Sequence, residues 1–183
     1  MALLVSALAG EIEGFDPLIT GVGKVNAAIT LTRYLAENPK TTAVVNLGSA
    51  GGVGLQPGAI VQVDTFWQWD MRCEGLDFKR GTTPFDQAPS HFHSSHEVEV
   101  AGVQVADCYT SDQFLDEPAL LPEGPCVVEM EAFALAKVCY RFDIPFAAFK
   151  YVTDAADGAA SEDWHDNLPG CAEALGQIAA QFT

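Results

Sequence analysis

At 183 residues, 49% hydrophobic and 19% charged, the chain has the composition of a globular protein able to bury a core rather than of a disordered segment. Its formal net charge of -16, from 25 acidic against 9 basic side chains, argues against a nucleic-acid polymer or an anionic membrane as partner, because both need a basic surface, and leaves small uncharged ligands open. Five scattered cysteines, odd in number and without C-x-x-C spacing, read as reduced thiols of the cytoplasm, and no apolar run approaches the ~18 residues of a membrane span.

In chain order, residues 3–8 form an apolar run expected of a strand buried on both faces. The run is short, lacks a basic flank and is followed at once by Glu11 and Glu13, so a strand is favoured over a leader. Gly21 and Gly23 suit a tight turn, and Val25, Ala28, Leu31 and Leu35 fall at helical spacing up to Asn38-Pro39, which stops the helix. Residues 43–47 read as a strand ending in a glycine-rich turn at 48–52, and 59–67 as a longer strand after the Pro57-Gly58 turn. Residues 72–96, with Gly75, Gly81, Pro84, Pro89 and the histidines His91, His93 and His96, read as an irregular excursion. Residues 98–108 alternate as one bent strand or a hairpin; 129–142 have helical pattern; 146–152 form a buried strand ending at Thr153-Asp154; and 171–182 close the chain as a helix.

Strands alternating with helices predict an α/β fold with a mostly parallel sheet, and the lack of repeats or linkers predicts one domain over residues 1–183. Ligands of such sheets sit beyond the carboxyl ends of strands. Gly10-Glu11, residues 48–52, residues 110–114 and Thr153-Asp154 all fall at such ends.

Each motif has a plain structural reading beside its chemical one. Glycines at 48–52 let backbone N–H groups approach a ligand, or simply make a turn. Asp154, beside an apolar strand, is placed for desolvation to raise its pKa as a general acid requires; equally, it suits a turn. Glu129 and Glu131 at a helix start suit the helix dipole, and on a helix they would point about 200° apart. The histidine cluster matches no standard zinc spacing, so no metal is expected. TGVGK lacks the P-loop pattern, and the G-x-S-x-G elbow is absent.

Taken together, ALAGEI, TGVGKVNAA, NLGSAGG, PGAIVQVD, TSDQFL, VVEMEAFALAKVCYRFDIPF and KYVTDAAD resemble, in order and over most of the chain, the nucleoside phosphorylase/nucleosidase superfamily. Within it they look most like the 5′-methylthioadenosine/S-adenosylhomocysteine nucleosidases. The resemblance implies a three-layer α/β/α sandwich about a central mixed twisted sheet. It implies hydrolysis of the N-glycosidic bond of a purine nucleoside, with no cofactor or metal, in a homodimer. By motif, Asp154 would protonate the imidazole ring of the purine and Thr153 would orient it. Glu11 would hold or activate the attacking water. Glu131 would accept hydrogen bonds from ribose hydroxyls, with Glu129 beside it and Met130 packed on the sugar. Ser49, Ala50 and Gly51 would line the pocket floor, and Phe114 would stack on the base next to Leu115.

Two departures stand out. Only nine residues separate Glu11 from Gly21, where these nucleosidases carry a longer, strand-containing insertion, so a trimmed sheet edge is expected. The segment WQWDMRCEGLDFKRGTTPF also differs from the family's pocket rim, and the aromatic stretch 66–69 that overlaps its start reads as exposed at a dimer interface. Phosphorolysis is the main alternative chemistry, but it needs an anion clamp, and Arg33, Arg72, Arg80 and Arg141 all lie outside the N-terminal and GSAGG loops. A non-catalytic nucleoside-binding protein is the alternative of a different class.

Overall fold

Alternation of period two runs through three adjoining strands of the computed structural model, which describes residues 2–95, 100, 102–157 and 160–182. The strands are β1 (Ala2–Ser6), β2 (Leu18–Ile19), β3 (Ala43–Val53), β4 (Ile60–Gln68), β5 (His91–His93), β6 (Gln104–Thr110), β7 (Cys126–Glu129) and β8 (Phe146–Asp154). The helices are α1 (Lys24–Glu37), α2 (Ala132–Phe142) and α3 (Ala160–Ala179). On one face Val5, Val44 and Ala148 pack with Ala27, Leu31 and Leu35 of α1 and Leu135 and Cys139 of α2. On the other, Leu4, Val45, Ala147 and Phe149 pack with Cys171, Leu175 and Ile178 of α3. Neighbouring residues of one strand thus feed two cores, which is why these strands read as unbroken apolar runs. The result is the expected three-layer arrangement, with α1 and α2 on one side and α3 on the other.

The sheet is mixed, in the order β2-β1-β3-β7-β6-β4-β5, and β8 pairs with both β3 and β4. β3, β7, β6, β4 and β8 therefore close on themselves. β3 is parallel to β1 and β8 but antiparallel to β7, with a register shift at Ala50/Gly51. At the edge where trimming is expected lies β2, a two-residue strand paired with the end of β1.

Several elements differ from their sequence reading. The 48–52 segment is not a turn: β3 runs straight through it to Val53. Its glycines answer to close packing, since a Cβ on Gly52 would stand 2.6 Å from Val152 Cγ1 and one on Gly51 2.8 Å from Asp154 Oδ1. The excursion contains β5, held antiparallel on β4. Of the 98–108 segment, residues 98, 99 and 101 lie outside the described residues, and the remainder enters a single strand, β6, not a hairpin. Residues 126–129 are strand, so Glu129 ends β7 and does not share a helix with Glu131; α2 begins only at Ala132. α3 starts eleven residues before the expected 171 because Pro169-Gly170, normally a breaker pair, sits inside it. Nor are residues 66–69 an exposed aromatic strip. Phe66 is fully buried, Trp67 stacks on His91 at 4.3 Å, and Arg80 lies 3.3 Å over the Trp69 ring.

α3 also fixes the loop that leaves β1. Glu13 N–H donates to the Ala172 carbonyl at 3.0 Å, and a Cβ on Gly176 would meet the Glu13 carbonyl oxygen at 2.7 Å. An alanine at 176 would gain about 1 kcal/mol of helix propensity, yet forcing atoms into a close backbone contact costs about 1–3 kcal/mol. Gly176→Ala is therefore expected to lower stability by about 1 kcal/mol, or ~2–4 °C in the thermal midpoint. Denaturant and thermal unfolding of the two proteins check this; a raised midpoint would show that the contact does not constrain the loop.

Candidate active site

The ends of β1, β6, β7 and β8 and the glycine-bearing half of β3 surround a cavity of about 280 Å³. Ten of the eleven residues singled out from the sequence line it: Glu11, Ser49, Ala50, Gly51, Phe114, Leu115, Glu129, Met130, Glu131 and Asp154. The other, Thr153, is buried directly behind Asp154. Its Oγ1 lies 2.7 Å from Asp154 Oδ2 and 3.2 Å from the Ala50 carbonyl oxygen. A hydroxyl so placed can donate to an ionised Asp154, or donate to Ala50 and accept from a protonated one. Asp154 Oδ1 accepts the Ala156 N–H at 2.9 Å. Burial raises the Asp154 pKa and outweighs the Thr153 and Ala156 hydrogen bonds, which lower it.

Glu11 is buried although it lies in a loop. Its Oε2 accepts from Ser6 Oγ at 2.7 Å and Leu8 N–H at 3.0 Å; its Oε1 accepts from Ser49 Oγ at 2.8 Å and Ser49 N–H at 3.1 Å. Ser49 Oγ in turn accepts from Trp164 Nε1 at 3.1 Å. Four donors from two strands and a loop thus lock one carboxylate against the cavity wall.

Glu129 is the most heavily engaged acid. Its Oε1 accepts a short hydrogen bond from the Thr110 hydroxyl. Its Oε2 takes Lys150 Nζ at 3.1 Å and the N–H groups of Glu131 at 2.9 Å and Ala132 at 2.8 Å. Burial would raise its pKa, but the Lys150 ammonium and these donors more than reverse that and hold it low. Burial would likewise lower the Lys150 pKa; Glu129, Cys108 and Glu131 outweigh it and raise it. So Glu129 borders the cavity, yet its hydrogen-bonding capacity goes to starting α2 and neutralising Lys150.

Glu131 is the N-cap residue of α2 and sits across from the start of α1, where Gly23 N–H donates to its Oε1 at 2.7 Å. Burial, followed by the charge of Glu129, pushes its pKa up to about 7. Glu131 is thus the acid whose carboxylate has capacity to spare for a ligand.

Some cavity residues were not singled out from the sequence: Leu8, Val22, Asn46, Gln113, Lys150 and Trp164 among them. Lys150 carried a usable signal, because a lysine inside an apolar strand needs a buried counter-ion. Asn46 had none. Its amide donates to the Val5 carbonyl at 3.2 Å, and its buried Oδ1 has no donor among the described residues. The histidines stand apart from the cavity: His91 packs on Trp67, His93 Nδ1 lies 3.2 Å from Thr65 Oγ1, and His96 is outside the described residues. Among the described residues no group of three or more His, Cys, Asp or Glu side chains is arranged to hold a metal. Lys150 is the one cationic side chain lining the cavity among them, and it is paired.

Comparison with known proteins adds the family. A 5′-methylthioadenosine/S-adenosylhomocysteine nucleosidase of Haemophilus influenzae (strain PittEE) is 33% identical over 180 residues, 87% of this chain and 77% of that protein. The nucleosidase of the same name from Neisseria meningitidis, solved in complex with methylthio-immucillin-A, superposes with a TM-score of 0.78 at 25% identity, covering 93% of each chain. A futalosine hydrolase mutant of Helicobacter pylori strain 26695 shares the fold, with a TM-score of 0.86 at 19% identity over 98% of this chain and 96% of that one. Residues 8–183 match the phosphorylase superfamily, and the chain belongs to it.

Proposed function

We propose that the chain is a nucleosidase that hydrolyses the N-glycosidic bond of a purine nucleoside of the methylthioadenosine/S-adenosylhomocysteine kind, releasing free purine and the sugar. The observation that carries this reading is the division of labour among four acids lining one cavity, whose single cationic side chain among the described residues is already paired. Cleavage of this bond passes through an oxocarbenium-like state, so protonating the leaving base and placing negative charge near the sugar both lower the barrier. Asp154 is the proton donor to the imidazole ring of the base, with Thr153 behind it. Glu131 accepts from the ribose hydroxyls, Met130 packs on the sugar, and Glu11 positions the attacking water. Ser49, Ala50 and Gly51 form the floor, and Phe114 and Leu115 cover the base. Phosphorolysis would require a cation free to hold phosphate, and Lys150 is committed to Glu129.

The decisive experiment incubates the protein with a panel of purine nucleosides, with and without inorganic phosphate, and identifies the products. Free purine and free sugar are expected at equal rates in both conditions. Release that needs phosphate would replace hydrolysis by phosphorolysis; tight binding without turnover would make the chain a nucleoside sensor. Asp154→Asn should slow release by at least about 100-fold, the usual contribution of a general acid.

Glu131 makes the unliganded protein sensitive to pH. Its folded pKa of about 7 lies above the ordinary 4.5, so the stability it contributes is complete below about 4.5 and lost as pH rises through about 7. The fall is at most on the order of 3 kcal/mol. Nucleoside binding runs the opposite way, because ribose hydroxyls donate to the ionised carboxylate. Affinity should climb from pH 6 to 8, and Glu131→Gln should flatten both profiles; calorimetric titration across that range and thermal unfolding from about pH 4 to 8 read the two effects.

A homodimer is part of the same proposal. Val25 and Ile29, four residues apart on α1, are 66% and 64% exposed, and Val22 at the cavity wall is 42% exposed. Such an apolar strip suits burial against a second copy. Sedimentation of a monomer at micromolar concentration would refute it. We also place the protein in the cytoplasm, a reading supported by its five unpaired cysteines, four of them buried. No helix among the described residues is long and apolar enough to cross a membrane.

A further inference from the structure

Lys24, in the GVGK stretch, has no task in the proposed chemistry, yet its side chain is only 14% exposed. Its ammonium makes a short contact with Asp70, just past β4, and lies 3.5 Å from Asp112 Oδ2, just past β6. The same two carboxylates also bind backbone. Asp112 Oδ1 accepts the Lys24 N–H at 2.8 Å, and Asp70 Oδ2 accepts the Asp112 N–H at 2.9 Å. One cation and two acids therefore fasten three chain segments to one another: the start of α1, the end of β4, and the loop after β6.

That loop carries Gln113, Phe114 and Leu115, all of which line the cavity. The start of α1 is equally close to the chemistry. It has no side-chain cap of its own, and its successive N–H groups at Gly23 and Lys24 go to Glu131 and Asp112. Two successive peptide groups thus join the acid facing the cavity to the latch holding the loop. Phe114 is 46% exposed; the ends of the loop are anchored by the Ser111 N–H on the Glu129 carbonyl at 2.9 Å and by Leu115 packed with Val128 and Ala156, and the latch fastens the turn between them through Asp112.

We propose that Lys24, Asp70 and Asp112 form a charged latch that sets the position of the Ser111–Leu115 loop, and that Lys24 is a positioning residue for nucleoside binding. Lys24 touches no reacting atom. It acts by holding Phe114 and Gln113 where the base lies, and by keeping the Gly23 N–H aimed at Glu131. Its loss weakens binding and leaves the chemical step nearly intact. This rests on the nucleosidase reading for its kinetic arm only.

The test compares the unmodified protein with K24M and K24R. Hydrogen exchange of the amides of residues 111–115 reads the latch directly, and methylthioadenosine cleavage reads its effect on the site. K24M should raise KM roughly tenfold with kcat within about twofold. It should speed exchange at 111–115 while leaving the amides of β3 and β8 as they are. K24R, which keeps the charge, should restore most of KM. Unchanged exchange at 111–115 in K24M overturns the latch whether or not the protein is a nucleosidase. Faster exchange with an unchanged KM, or a fall in kcat at constant KM, overturns the positioning role. Exchange that accelerates throughout the chain shows a general fold defect and equally overturns it. Absence of purine release by the unmodified protein sinks the nucleosidase reading instead, and the exchange comparison then decides the latch alone.

Discussion

The Lys150–Glu129 pair is the constraint around which the site is built. Both side chains are 2% exposed, and a buried charge survives only when it is paired and its remaining donors or acceptors are met. Glu129 meets that demand by taking the Thr110 hydroxyl and the N–H groups of Glu131 and Ala132 as well. Thr110 Oγ1 accepts the Phe133 N–H at 2.9 Å in the same cluster. One carboxylate therefore ties β8, β7, β6 and the first turn of α2. It also sets where Glu131 can be: the residue whose N–H is held by Glu129 is the one whose side chain faces the cavity and the start of α1.

The glycine-bearing half of β3 supplies the second constraint. β3 has β8 on one side and β7 on the other, and Gly51 is opposite both Asp154 and Val128. A side chain there would occupy the space of Asp154 Oδ1. The glycines thus bring two strands close enough for Asp154 and Glu131 to open on one cavity. They serve strand packing, where a glycine cluster in sequence reads first as a turn.

This contrast marks what could be read from the sequence. The buried strands of an α/β fold were legible because residues such as Val44 and Val45, or Ala148 and Phe149, are apolar at every position, the pattern of strands covered on both faces, while the three-layer stacking was what the family resemblance implied. The site was legible as four strand-end motifs together with the 129–131 stretch, whose roles the family resemblance implied, and the ten cavity-lining residues came from these five separated stretches. Local pattern failed where tertiary contact overrode it. Glu129 looked like the first residue of a helix because acids favour helix starts; the pairing of β7 with β6 and β3 makes it a strand end instead. Trp164 was hidden because α3 runs through Pro169-Gly170, and no periodicity announces a helix that contains a proline. Asn46 was hidden because an orphan acceptor is a property of surroundings, not of a residue type.

The four acids of the cavity illustrate how surroundings assign different work to the same functional group. Glu129 is held low by an ammonium and a ring of donors. Glu131, one residue beyond its neighbour Met130, is raised to about 7 because burial acts on it and Glu129 adds a like charge nearby. Asp154 is raised by burial against the apolar end of β8, with Thr153 able to serve either protonation state. Glu11 keeps four donors around it. Lys150 is what makes this differentiation possible. It neutralises Glu129, and among the described residues lining the cavity no second cation levels the others. A free arginine in the same place would pair with Glu131, lower it and provide an anion site. Its absence from the cavity lining among the described residues leaves burial and Glu129 to raise Glu131, and supports the proposed hydrolysis over phosphorolysis.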